Sequence, residues 1–186
     1  MTALRDDALA VVRATEPAAA GQRALQDRFV AHLEAHADGV LRTCRPDHLT
    51  ASTLVLSADG AQVLLTLHAK ARRWFQLGGH LEPGDASLAA AALREAAEES
   101  GLTAQDLDLD PVPVHLDEHA VPFCGPGGDA HHLDVRFVAV ARDGARPTVS
   151  EESLDVRWWP ADDLPHPDLA EAVRLARARV RPALAR

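Results

Sequence analysis

Leu77-Gly78-Gly79-His80-Leu81-Glu82-Pro83-Gly84-Asp85, leading into Arg94-Glu95-Ala96-Ala97-Glu98-Glu99-Ser100-Gly101-Leu102, is the stretch on which the fold turns. Its second half reads as a short helix with Glu95, Glu98 and Glu99 at i, i+3 and i+4. At 3.6 residues per turn these carboxylates share an arc of about 100°. The other side carries Ala89, Leu93, Ala96 and Ala97, an apolar stripe suited to lie on a sheet. Like charges on one helix face repel unless something positive sits among them. A hard divalent cation, bound by carboxylate oxygens, answers that need. Asp85 or Ser87 caps the start of the helix, and Gly101 supplies the left-handed residue beyond its end. Ahead of it, Gly78-Gly79 and Pro83-Gly84 make a tight loop whose main-chain carbonyls can face a ligand. A glycine loop feeding an acidic helix is what a phosphate–metal site requires. A merely solvated Glu-rich face, the commoner meaning of such a run, leaves the ordered glycines unexplained.

These residues resemble the Nudix box, G-x5-E-x7-R-E-U-x-E-E-x-G-U with U a bulky aliphatic residue, from Gly79 to Leu102. Asp85 stands where the pattern has its first Glu, eight residues instead of seven separate it from Arg94, and Ala96 is small for an aliphatic position. The extra residue belongs in the loop, because inside the helix it would rotate the acidic face by about 100°. The resemblance implies an α/β protein, an α/β/α sandwich with a mixed sheet. It also implies a Mg²⁺-dependent hydrolase, with Mn²⁺ as a substitute, acting on a small molecule that contains a diphosphate, typically a nucleoside diphosphate linked to another group. By the same resemblance Glu95, Glu98, Glu99 and the main-chain carbonyl of Gly78 are the metal ligands. Glu98 and Glu99 are then catalytic, with Arg94 either orienting them or tying helix to loop. A further acid from beyond the box is expected to serve as general base. Glu152 is favoured slightly over Glu151, and Asp117 and Glu118 compete with both. A non-catalytic sensor on the same scaffold would be expected to lose box carboxylates. A diphosphate isomerase would be expected to carry a cysteine near the glycine loop, where this chain has His80.

The rest of the chain agrees with such an enzyme. It has 186 residues, 47% hydrophobic and 25% charged, which suits one domain with a proper core. A net charge of −9 argues against a nucleic-acid polymer as partner. No apolar run approaches a membrane span, and no signal-peptide core is apparent, so a cytoplasmic location is expected. Cys44 and Cys124 read as two reduced thiols. Residues from about Ala3 to His36 read as two helices broken near Pro17, so residues 1–48 form a helical extension to a domain at 49–186. That extension packs on the domain, swaps between subunits of a homodimer, or covers the site. Ala51–Ser57 and Gln62–Leu67 read as a hairpin, Val112–His119, His132–Ala141 and Val156–Trp159 as strands, and Asp168–Arg181 as an amphipathic helix.

Lys70, the only lysine beside eighteen arginines, ends a strand just before the glycine loop, with Arg72 and Arg73 next to it. Such cations meet substrate phosphate, Arg by bidentate bonds and Lys as a point charge. His132, Asp134 and Arg136 alternate on one strand face and are read, with Lys70, Arg72 and His80, as substrate-binding residues. The pair His131-His132 raises zinc, but no cysteine or third histidine falls at a convincing spacing. Trp74 either stacks on a base or, next to Phe75, belongs to the core.

Overall fold

A computed structural model describes residues 2–122, 124, 128–150 and 153–184, with Thr2 and 181–184 by backbone alone. Two helices come first, α1 (Thr2–Ala14) and α2 (Ala20–Ala35), parted at Pro17 as the sequence suggests. Strands β1 (His48–Leu56) and β2 (Gln62–His68) form the expected hairpin. Two short strands that the sequence reading left as loop follow, β3 (Trp74–Phe75) and β4 (Leu77–His80). Helix α3 (Leu88–Ser100) carries the glutamates. After it come β5 (Leu107–Ala120), β6 (His131–Ala141), β7 (Ser153–Pro160) and α4 (Ala170–Leu184). The connection from β5 to β6 falls partly outside the described residues.

Among the described residues seven strands make one mixed sheet, ordered β3-β2-β1-β6-β5, with β7 against β2. β1 is its axis. Along one edge it runs parallel to β6, from His48 beside His132 to Leu56 beside Val140. Its other edge is divided: β4 pairs with Thr50 to Thr53, and β2 with Val55 and Leu56. The sheet therefore forks at the middle of β1.

Each face of the sheet is covered by a helix. Leu54, Leu56, Val63, Leu65 and Val138 pack under α4 through Ala172, Val173, Ala176 and Val180. On the opposite face Ala51, Val135 and Phe137 meet Leu88, Ala91 and Ala92 of α3. Further along that face Val55, Leu64 and Ala139 meet Ala96. The α/β/α sandwich follows from this two-sided burial. The apolar stripe of α3 is, however, rotated from the one expected. Leu88, Ala91, Ala92 and Ala96 are buried together with Glu99, whereas Ala89, Leu93 and Ala97 are only half-buried. Alanines surround this helix, so burial is decided by the carboxylates that must reach the glycine strand.

The N-terminal helices pack on the domain. Leu4, Ala8 and Val12 of α1 and Phe29 and Leu33 of α2 share a cluster with α3, β1 and β6. Asp7 accepts a hydrogen bond from the Leu88 amide at 2.7 Å, satisfying an otherwise orphaned N–H with a negative charge at a helix N-terminus. Gln22 behaves like a strand residue towards the edge strand β5. Its amide donates to the Leu116 carbonyl at 2.9 Å and accepts from the Leu116 N–H at 2.8 Å. No helix among the described residues is long and apolar enough to cross a membrane.

Gln22→Ala should therefore leave a buried N–H and C=O of β5 unpaired, at a cost of about 2 kcal/mol. Urea denaturation should show a lower midpoint with an unchanged slope. An unchanged midpoint would mean that water replaces the Gln22 amide without loss.

Candidate active site

Strand β4 brings the two glycines beside β1, Gly78 opposite Ser52 and Gly79 opposite Ala51. Successive strand residues face opposite sides, so each glycine leaves a gap on a different face. A Cβ on Gly78 would lie 2.2 Å from the Ser52 Cβ, and one on Gly79 would lie 2.6 Å from a carboxylate oxygen of Glu95. The glycines are needed because the site has filled both places. Glu99 is buried, and its Oε2 accepts the Gly78 N–H at 2.8 Å. Glu95 and Glu99, one turn apart, thus lean on a strand without side chains. Glu98 looks outward, with 61% of its side chain exposed.

Arg94 joins this helix to the loop before it. Its Nε and Nη2 donate to the two oxygens of Asp85 at 2.9 and 3.0 Å, and Nη2 also donates to the His80 carbonyl at 3.0 Å. Nη1 donates to Glu95 at 2.9 Å and to Glu98 at 3.1 Å. Ser87 caps α3, accepting from the Ala90 N–H at 3.1 Å, so Asp85 is not the cap. The Asp85 carboxylate instead pairs with Arg94 and accepts the Glu82 N–H. Burial would raise the Asp85 carboxyl, but the Arg94 and Glu82 bonds outweigh it and hold the group below the usual carboxylate range. The same Asp85 bonds, helped by Glu95, push the Arg94 guanidinium above its ordinary value. The helix starts at Leu88, and the residue by which the loop exceeds the motif is accommodated ahead of it.

On the other face of the sheet a second polar group is buried. Asp134 accepts from Thr50 at 3.0 Å, Ser52 at 2.7 Å, Gln76 at 2.9 Å and the Arg136 Nε at 3.0 Å. Arg136 reaches on to Asp117 at 2.8 Å. Burial would raise the Asp117 carboxyl, but His119 and Arg136 more than offset it and lower it. Arg136 thus stands on the face away from α3. A cleft of about 1290 Å³ nevertheless runs past both groups, lined by Glu95, Glu98, Glu99, Asp134, Arg136 and Asp117 among others. It passes the edge where the sheet forks and the glycines offer no bulk.

The remaining residues singled out from the sequence fall as follows. Lys70 is exposed at the cleft wall, while exposed Arg72 is not among the lining residues and holds φ 55°, in the left-handed region. Trp74 lines the cleft with its ring 5.3 Å from that of Trp159, and the Arg157 guanidinium lies 4.9 Å above it. Glu118 turns towards Arg28. Glu151 and Glu152 lie outside the described residues, although Ser150 beside them lines the cleft.

His80 and His132 line the same cleft but come together with two residues to which the sequence reading gave no role, His48 and Cys124. Burial, then the other histidines and arginines nearby, lower His80 to about 4 and His132 to about 2. Burial and Arg45 also lower His48. In all three, burial favours the neutral imidazole.

Comparison with known proteins agrees with the geometry. The family profile described as NUDIX domain matches residues 46–181. Among solved structures the chain is similar to an Ap4A hydrolase from C. elegans in a binary complex, at 18% identity and TM-score 0.60, covering 72% of this chain and 98% of that one. It is also similar to a NUDIX family hydrolase from Clostridium perfringens, at 25% identity and TM-score 0.56, over 73% and 97% of the two chains. A Nudix hydrolase from M. smegmatis, RenU, aligns at 26% identity and TM-score 0.51, over 73% and 86%. No curated protein matches the sequence.

Asp85→Asn should cost about 2 kcal/mol at neutral pH, since Arg94 loses a bidentate partner yet keeps Glu95 and Glu98. A carboxyl held below its unfolded value stabilises the fold above the unfolded pKa, and that contribution fades as pH falls through the folded value. The stability gap between wild type and variant should thus narrow below about pH 4. A gap that stays constant from neutral pH to pH 3 in urea titrations would show that the Asp85 charge is not what holds Arg94.

Proposed function

The chain belongs to the Nudix family, hydrolases that act on phosphoanhydride bonds, and from that premise we propose that it is a Mg²⁺-dependent pyrophosphohydrolase. Its substrate is a small molecule in which a diphosphate links a nucleoside, or a related group, to a second moiety. We take residues 49–186 as the hydrolase domain, residues 1–48 as its helical extension, and the cytoplasm as its location. The observation that carries this reading is the pair of carboxylates resting on a strand stripped of side chains: Glu99 on the Gly78 amide, and Glu95 in the space a Cβ of Gly79 would take.

The donor set fits the ion. Glu95, Glu98, Glu99 and the Gly78 carbonyl offer oxygen alone, which a hard cation such as Mg²⁺ or Mn²⁺ prefers to nitrogen or sulfur. When bound, such an ion supplies Lewis-acid stabilisation of charge developing on a phosphoryl oxygen and makes water a competent nucleophile.

The protein's own part is placement. The Gly78 N–H fixes one oxygen of Glu99 and so sets the direction of its carboxylate. Arg94, anchored by Asp85, orients Glu95 and Glu98 and lowers the repulsion between them. Glu98 is exposed and can swing to the substrate side. Lys70, on the turn after β2 and at the cleft wall, would attract the diphosphate as it enters. Asp134 and Arg136 would meet the group held on the other side of the fork, through the bonding capacity their network leaves over. Glu152 is our choice for the general base from its place in the chain. Asp117 is the alternative, because it lines the cleft and His119 and Arg136 lower its carboxyl against the effect of burial.

The reading is tested with a panel of nucleoside-diphosphate derivatives, each supplied with Mg²⁺ or Mn²⁺, scoring phosphate released after phosphatase treatment of the products. Glu98→Gln and Glu99→Gln should each lower kcat at least about tenfold without unfolding the protein. Lys70→Ala should mainly raise KM. No metal-dependent turnover across the panel, or full turnover in a Glu95/Glu98/Glu99 triple Gln variant, would remove the proposal.

A further inference from the structure

His48, His80, Cys124 and His132 are scattered in sequence and gathered by strand register. β1 places His48 directly beside His132 of β6, and Thr50, two residues on, opposite His80 at the end of β4. Cys124 is delivered by the connection from β5 to β6. Its N–H donates to the Val121 carbonyl at 2.8 Å, the Val121 N–H donates to Ala130 at 2.8 Å, and Arg45 donates to the Cys124 carbonyl. One ligand atom from each of the four lies within 4.8 Å of all the others.

The chemistry of this group is unusual for a protein interior. The three imidazole rings stand 4.9 to 5.2 Å apart, centre to centre, taken in pairs. The Cys124 sulfur is 3.5 Å from the His80 Nε2 and 3.8 Å from the His48 Nε2. His48 is fully buried, and the His132 Nε2 is buried without a hydrogen-bond partner. His119, the next ring out, is turned to Asp117 and takes no part. A buried ring nitrogen without a partner costs stability. Here two rings with such a nitrogen, His48 and His132, converge with His80 and a thiol, and no carboxylate belongs to the group.

We propose that His48, His80, His132 and Cys124 form a closed tetrahedral site for Zn²⁺, separate from the oxygen ligands of α3. Zinc bonds of about 2.0–2.1 Å to nitrogen and 2.3 Å to sulfur at tetrahedral angles put nitrogen and sulfur about 3.5 Å apart. The two sulfur–nitrogen distances therefore need little or no contraction. Three neutral imidazoles and one thiolate make a borderline-soft donor set that suits zinc and disfavours magnesium. Binding releases one proton, from the Cys124 thiol, as the zinc–sulfur bond forms. With four protein ligands no position is open for a substrate, so the ion is structural. What it staples is the active site. His80 follows Gly79 directly, and the His80 carbonyl accepts the bond from Arg94. One ion thus ties the end of the glycine strand to β1, to β6 and to the β5–β6 connection. This gives His80 and His132, expected from the sequence to meet substrate, a different task.

The proposal does not depend on which substrate is cleaved, or on whether cleavage is seen. Metal analysis of the protein loaded with Zn²⁺ and dialysed should find about one zinc per chain. Replacement by Co²⁺ should produce a thiolate-to-cobalt charge-transfer band in the near ultraviolet, together with the intense visible bands of a tetrahedral ion. Cys124→Ser should abolish the near-ultraviolet band and weaken zinc binding at least tenfold, as should His132→Gln for zinc. Cys44→Ser and the Glu95/Glu98/Glu99 triple Gln variant should keep both band and zinc. Absence of the charge-transfer band in wild-type protein would overturn the proposal without recourse to any variant. So would zinc that is kept by Cys124→Ser and lost by the triple Gln variant.

Discussion

A guanidinium cannot lose its proton under ordinary conditions, and its five N–H groups point in fixed directions. Arg94 directs them at Asp85, Glu95, Glu98 and the His80 carbonyl, so one side chain fixes the angle between α3 and the strand that carries the glycines. Two consequences follow. The acids on α3 can share a face because a permanent charge sits among two of them. And if Glu95 and Glu98 turn to a cation, Asp85 still anchors Arg94 through two bonds, so the loop keeps its shape. The departure from the Nudix pattern at this point is then coherent. Asp85 has a shorter side chain than the glutamate of the motif, and a loop longer by one residue brings its carboxylate within reach of Arg94.

The fork in the sheet is the second constraint. β1 gives its first half to β4 and its second to β2, and the gap between those partners opens towards both faces. A cleft that passes such a gap can hold a molecule with two unlike ends. Its diphosphate would lie at the glycine strand, one end towards α3 and the other towards Asp134 and Arg136. The polar network under that second end is costly to bury, and pairing alone rarely makes buried charges a net source of stability.

Local features were readable from the chain. Glu95, Glu98 and Glu99 share a face by helical geometry, and Ser87 and Gly101 bound that helix by capping rules that involve only neighbours. The longer strands and α4 were visible from their periodicity, and the sandwich follows from their order. The rotation of α3 was not visible. Alanine on several sides leaves the apolar stripe undetermined, and the choice is made by a hydrogen bond from Gly78, in another element, to Glu99. Asp85 looked like a cap because capping is a local rule, whereas its partner Arg94 is reached only when the loop folds back. The histidine and cysteine group was hidden for a further reason. His48 and His132 are neighbours through a parallel pairing across 84 residues, and no spacing motif encodes a parallel register. The signal that was available, a His-His pair and a cysteine just upstream of a strand, takes on meaning only once that register is known.

The two donor groups meet neighbouring residues of the same short strand, and their chemistry keeps them apart. Around Gly78 and Gly79 the donors are oxygen, buried at Glu99 and exposed at Glu98. Around His80 the donors are nitrogen and sulfur, buried at His48 and Cys124 and half-buried at His80 and His132. A cation that must be exchanged or move with its substrate needs the first kind of site, with weak and adjustable ligands. An ion that holds geometry needs the second, because four protein ligands leave nothing to exchange. Strand β4 is only four residues long, and isolated strands of that length are not stable without partners. Its pairing with β1 holds one edge, and Arg94 holds its last carbonyl from the side of α3. A cross-link through the His80 side chain would act from the other direction. The glycines, which by themselves favour disorder, would then be fixed between two anchors.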